Sequence, residues 1–240
     1  GGAGRRAGFG GGSATEGPMV PAGSYKVALV VNGQTVATKA LTVVMDPAIA
    51  GRMSASAYQR YFDLALSLHA LHRSAQAAAT AMEPFYKQMR DAATKVDASG
   101  AVPEAVKARF DALHQQFDAV RVKFGVPAPA PTVARGFGGF GRGAAPADPN
   151  DLVAAVARVK GQILAFTETP SATLLHQADD VRLAYPRAVA ELNAVYAKAA
   201  ALGPQLQQYQ VALAAPAPVV WTAKPPTVAA PARPARKPKR

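Results

Sequence analysis

Apolar and polar positions alternate with period two in one stretch of the chain and recur at three- and four-residue steps almost everywhere else. The exception is Val20–Pro47, VPAGSYKVALVVNGQTVATKALTVVMDP. Tyr25, Val27, Leu29 and Val31 alternate with Lys26, Ala28 and Val30, the pattern of a half-buried strand. Asn32-Gly33 follows at once. Both residues tolerate positive φ, so the dipeptide suits a type I′ turn, whose twist matches that of paired strands. Thr35–Val44 is rich in Thr and Val, as strands are. A two-residue loop then pairs Val31 with Gln34, Leu29 with Val36 and Val27 with Thr38. Leu41 and Val43 fall out of phase with that face, which calls for a bulge near Lys39–Leu41 or burial on both faces. Two strands alone are marginal in water, so the hairpin needs either the helices that follow or partner strands upstream of Gly1.

The remaining periodicity is helical. Ser54 or Ser56 can cap a long helix whose apolar stripe runs through Tyr58, Tyr61, Phe62, Ala65, Leu68 and Leu71 and on to Met89 and about Val96. Pro84 removes a backbone donor and is expected to kink or break it, and Ser99-Gly100 ends it. Pro103 opens a second helix with the stripe Val106, Phe110, Leu113, Phe117, Val120 and Phe124, stopped by Gly125. Asp148-Pro149 starts a third helix, which buries Leu152, Val156, Val159, Ile163 and Phe166. Thr169-Pro170 starts a fourth, which buries Leu174, Ala178, Val181, Tyr185, Val189, Leu192 and Ala199. Pro186 is expected to kink the fourth helix, and Leu202-Gly203-Pro204 to end it, with one more short turn to Val211. Short links make each pair an antiparallel hairpin.

The chain therefore divides into a Gly-rich disordered segment (1–17), a β-hairpin (18–47), a helical hairpin (54–124), a Pro/Gly-rich linker (125–148), a second helical hairpin (149–211) and a disordered basic Pro/Ala tail (212–240). The fold class is mainly α, a four-helix bundle preceded by a β-hairpin.

Composition narrows the chemistry. The 240 residues contain no cysteine, which excludes disulfides, thiolate metal sites and cysteine nucleophiles. No apolar run approaches the ~20 residues of a membrane span. The net charge of +12 suggests a polyanion partner until it is located. Half of it lies in the tail on Lys224, Arg233, Arg236, Lys237, Lys239 and Arg240, and residues 151–214 balance to zero. The body is thus an ordinary solvated surface carrying a basic tail. That tail is the candidate site for nucleic acid or other polyanions, bound weakly and in a salt-dependent way. Trp221, its lone aromatic, reads as a docking residue or, more plainly, as a residue without a role.

Candidate catalytic groups are sparse. His69 and His72 lie three apart on one helix, but Asp63 is 1.7 turns from His69 and faces elsewhere, so no third metal ligand is evident. Asp179-Asp180 point about 100° apart; Asp179 with Arg182 and Arg187 with Glu191 read as surface pairs. The Gly-rich segments lack the strand, helix start and Lys-Ser/Thr of a phosphate loop. No catalytic residue, cofactor or metal is assigned.

One resemblance enters on the hairpin. Val20, Gly23, Tyr25, Val27, Leu29, Val31, Gly33, Leu41, Val43, Asp46 and Pro47 resemble the segment that closes the Ig-like region of large bacterial sortilin-like proteins. These are BNR-repeat β-propeller proteins, often labelled glycosyl hydrolases. Ala22 stands where that family usually has Pro, and Ala48 where it often has Arg. The resemblance implies that the hairpin is the end of a truncated Ig-like domain followed by a helical region. It also implies that any hydrolase chemistry belongs to an upstream propeller and that the setting is extracytoplasmic. The expected partners are then proteins, first of all the upstream propeller and Ig-like region.

Overall fold

The computed structural model describes residues 17–128, 148, 150–165 and 168–222. Two antiparallel strands, β1 (Gly23–Val31) and β2 (Gln34–Val43), are followed by a single helical turn, α1 (Pro47–Ala50), and four longer helices. These are α2 (Ala55–Ala98), α3 (Glu104–Lys123), α4 (Leu152–Ala165) and α5 (Ala172–Gln207). The mainly helical class, the bundle and the hairpin all follow the periodicities of the sequence.

Three of the four long helices start at side chains that satisfy first-turn N–H groups, which lack partners within the helix, whereas α3 starts at Pro103 without such a bond. Ser54 Oγ accepts from Ala57 N–H at 3.2 Å, and Ser171 Oγ accepts from Leu174 N–H at 3.2 Å. At α4 the cap is Asp151, whose Oδ1 accepts from Ala154 N–H at 2.9 Å. The cap expected at Asp148 is displaced by three residues: Asp148 Oδ1 instead accepts from Asn150 N–H at 2.8 Å, forming a turn before the helix. Gly125 ends α3 as its spacing requires, with φ +66° and Val126 N–H returning to Arg121 O at 3.1 Å.

One proline expectation needs correction, the end of α5 at Leu202-Gly203-Pro204, while Pro84 and Pro186 lie inside continuous helices. α5 continues through Pro204 to Gln207. A proline removes one helical hydrogen bond. Buried side chains on both sides of each proline (Met82 and Phe85, Tyr185 and Ala188, Leu202 and Leu206) keep the helix packed against the core there.

Three contacts give the packing. Ser74 and Tyr185 hydroxyls lie 2.8 Å apart, and the Phe85 and Tyr196 rings meet edge to face at 5.3 Å. Both pairs have the same sequence offset, so α2 and α5 run parallel in constant register. α3 runs antiparallel to them, with Phe117 edge-on to Phe85 at 5.0 Å. α4 takes over where α3 stops: its first-turn neighbour Asp151 lies against Gly125, and Tyr61 Oη donates to Ile163 O at 2.7 Å. Thus α3 covers the second half of α2 and α4 the first half. One continuous core follows, centred on Phe85, Phe110, Phe117, Phe124, Tyr185 and Leu192.

The chain beyond α5 corrects the disordered reading of 212–240 over its first part. Gln210 turns the backbone with φ +61°, and residues 211–222 run back along the bundle without regular secondary structure. Val211 and Leu213 are buried, and Val219 and Trp221 pack against the core. Alternation of apolar residues with Ala and Pro looked like disorder because neither helical nor strand period fits it. It is in fact a strap that rests on side chains of α2 and α5.

Candidate functional site

The hairpin carries most of the exposed large apolar side chains among the described residues. Asn32 and Gly33 both have positive φ, +51° and +79°, as a type I′ turn demands. Val31 faces Gln34 and Val30 faces Thr35, but Leu29 faces Ala37. Val36 is therefore the extra residue of a bulge. The sequence calls for such a bulge near Lys39–Leu41, and the structure places it close to the turn. One inserted residue reverses the parity of the strand beyond it. Tyr25 now faces Leu41, and Val27 faces Lys39. Tyr25, Val27, Leu29 and Leu41 consequently share one face.

That face is not buried. Val27 is 53% exposed, Leu29 58% and Leu41 49%, and on the other face Val30 is 55% exposed. The sheet has two strands, so each offers one outer edge of unpaired backbone groups among the described residues. The hairpin does not lie on the helices. Only its base is anchored: Tyr25 Oη donates to Pro21 O at 2.6 Å, and Pro21 is buried. Tyr58, at the start of α2, titrates above its ordinary value because it is partly buried and because Tyr25 is nearby.

A second cluster lies inside the bundle. His72 on α2 and Lys160 on α4 are both buried, with His69 close by. Burial, then the neighbouring Lys160 and His69, hold His72 below the usual imidazole value. Its Nδ1 makes no hydrogen bond among the described residues. No group of three or more His, Asp or Glu is placed to hold a metal ion among the described residues. Asp63 accepts from Gln59 Nε2 at 3.0 Å. Sequence reasoning weighed the two histidines but missed Lys160, whose place on the inner face of α4 was legible from its spacing of four to Val156.

A third feature is the seam between α3 and α5. Arg109 donates to Gln205 at 3.4 Å, Lys198 donates to Gln116 at 2.6 Å, and Lys123 pairs with Glu191. The three bridges recur every seven residues on both helices, the repeat at which one face returns. Glu191 thus takes a partner on another helix rather than Arg187, whereas Asp179 and Arg182 pair at 3.1 Å as their spacing suggests. A shallow groove of about 290 Å³ opens on the seam over Ala112, Leu113, Ala201 and Leu202.

The six basic residues of the tail, Lys224, Arg233, Arg236, Lys237, Lys239 and Arg240, lie outside the described residues, as do 1–16 and 129–147. No helix among the described residues is long and apolar enough to cross a membrane. Compared with protein-family models, curated proteins and solved structures, the chain matches none of them.

Proposed function

We propose that this chain is a non-catalytic structural and interaction module, the C-terminal part of an exported sortilin-like, BNR-repeat propeller protein. In that reading the hairpin is the closing ribbon of an Ig-like sheet. The observation that carries it is the hairpin itself: a paired ribbon with an apolar face about half exposed and, among the described residues, two free edges and no helix packed beneath it. Such a ribbon gains stability when further strands add to its edges through main-chain hydrogen bonds. Tyr25 adds support. A tyrosine near the start of a strand whose hydroxyl bonds back to the backbone a few residues upstream is a corner device of Ig-like sandwiches, and Tyr25 makes that bond to Pro21. The helical bundle then serves as a rigid base for the Ig-like sheet, and any hydrolytic chemistry lies in the propeller.

The coding sequence on the 5′ side of Gly1 tests the proposal. Repeated propeller blades followed by Ig-like strands are expected there. An initiation codon immediately before Gly1 would overturn it. When those strands are joined to the chain, the amide protons of β1 and β2 should exchange more slowly with solvent.

A further inference from the structure

We infer that the groove between α2 and α5 is a binding site for an extended Ala/Pro-rich strand, filled here by residues 211–221 of the same chain and able to take that segment from a second copy. The strap matches the groove in length. Gly203 and Tyr185 lie about 27 Å apart along α5 at 1.5 Å per residue. Leu213 to Trp221, which rest against them, span about 25 Å at the rise of polyproline II. The strap therefore lies stretched and antiparallel to α5.

The groove reads both the backbone and alternate side chains of its occupant. Asn193 forms a paired contact with one residue: Val219 N–H donates to Asn193 Oδ1 at 2.8 Å, and Asn193 Nδ2 donates to Val219 O at 3.0 Å. This reproduces with a side-chain amide what a neighbouring strand would offer. Gln88 Oε1 accepts from Ala214 N–H at 2.9 Å from the other wall. Val211, Leu213, Ala215, Val219 and Trp221 turn inward, while Ala212, Ala214 and Val220 face solvent. The Trp221 ring meets Tyr185 edge to face at 5.1 Å and ends the site. Gly203 makes the approach possible, because a Cβ there would stand 2.5 Å from Leu213 O. Backbone reading with pockets for alternate side chains is how extended peptides are recognised elsewhere.

The strap leaves α5 through a single tight turn, in which Val211 N–H returns to Leu206 O at 3.1 Å. Gln210 holds φ +61°, a conformation that glycine adopts more readily. A terminal segment joined through one short turn and docked beyond it by two side-chain amides and alternate apolar side chains suits exchange between identical chains.

The test uses the full chain with its strap released, Val219→Pro together with Trp221→Ala, which leaves every groove residue intact. A labelled peptide of residues 209–222 is titrated into this variant and into the wild type, with binding read by fluorescence anisotropy. Binding to the released chain should be at least about tenfold tighter than to the wild type, whose groove is filled in cis at high effective concentration. Adding Asn193→Ala to the released chain should weaken the peptide by about tenfold. Equal binding to both chains, or no binding to a released chain that keeps its helical circular dichroism, would overturn the inference. Loss of that helical signal on release would also overturn it, since the strap would then be an inseparable part of the core.

Discussion

The hairpin and the strap are opposites. β1 and β2 have a ladder interrupted only by the bulge at Val36, a favourable turn and strong alternation, and yet most of their side chains are exposed. Residues 211–222 have no ladder and no helix, and yet they are packed against the bundle. Backbone regularity and burial are thus separate achievements of this sequence. The first follows from local preferences. The second depends on whether a complementary surface exists within reach of the chain.

The contrast can be broken most strongly at Tyr185, which lies under the strap, fully buried, with Ser74, Phe124 and Trp221 around its ring. Tyr185→Ala should cost about 3–5 kcal/mol in chemical denaturation followed by far-ultraviolet circular dichroism, the range for emptying a large aromatic site. The hairpin should not register the change. Gly203→Ala comes next. Helix propensity alone would favour Ala by about 1 kcal/mol. The clash with Leu213 O reverses the sign, and a net loss of about 1–3 kcal/mol is expected, with the emission of Trp221, the only tryptophan, moving to longer wavelength. An unchanged spectrum together with a gain in stability would show that the strap does not press on the helix.

pH should also separate the two regions. His72 has a folded value below its ordinary 6.5 because burial disfavours the imidazolium. Its contribution is present above pH 6.5 and is lost as pH falls through the lower folded value. Tyr196 is pushed by burial from 10.0 up to about 12. Its contribution is present below pH 10 and is lost as pH rises through 12. Denaturation midpoints of the bundle should therefore form a plateau between these limits and fall on both sides. The smallest effect belongs to the hairpin. Leu29→Thr should change bundle stability by no more than about 0.5 kcal/mol while lowering the tendency to self-associate, measured by light scattering. A large loss of stability would mean that the hairpin face is covered after all.

Those expectations also show what the sequence made legible. The apolar stripes of α2 to α5 were plain because each core residue repeats at helical spacing, from Phe62 to Val96 and from Leu174 to Ala199. The turn at Asn32-Gly33 was plain because few other dipeptides suit it. The bulge, expected near Lys39–Leu41, was misplaced, since parity reports that an extra residue exists without saying where, and the structure puts it at Val36. The end of α5 was missed because Gly203-Pro204 is a strong local stop signal that the burial of Leu202 and Leu206 overrides. The strap was missed for a related reason. Asn193, Gln88 and Tyr185 are far from residues 213–221 in sequence, and nothing local in an Ala/Pro stretch records that they wait for it. The proposed site on the hairpin was visible as a pattern, whereas its exposure was not, because the same alternation would serve a buried strand.

The meeting of Gly125 with Asp151 has one more consequence. α3 ends and α4 begins at the same place, so in space they form one interrupted rod beside α2, and the chain leaves and re-enters at the waist of the molecule. The two ends of the connection thus meet, as the ends of an insertion do. Its length is a free variable: doubling or halving a flexible loop changes its closure entropy by only about 0.6 kcal/mol. A change of length between Val126, which is buried and tied to Arg121, and the turn at Asp148 would therefore leave the register of the bundle on either side intact.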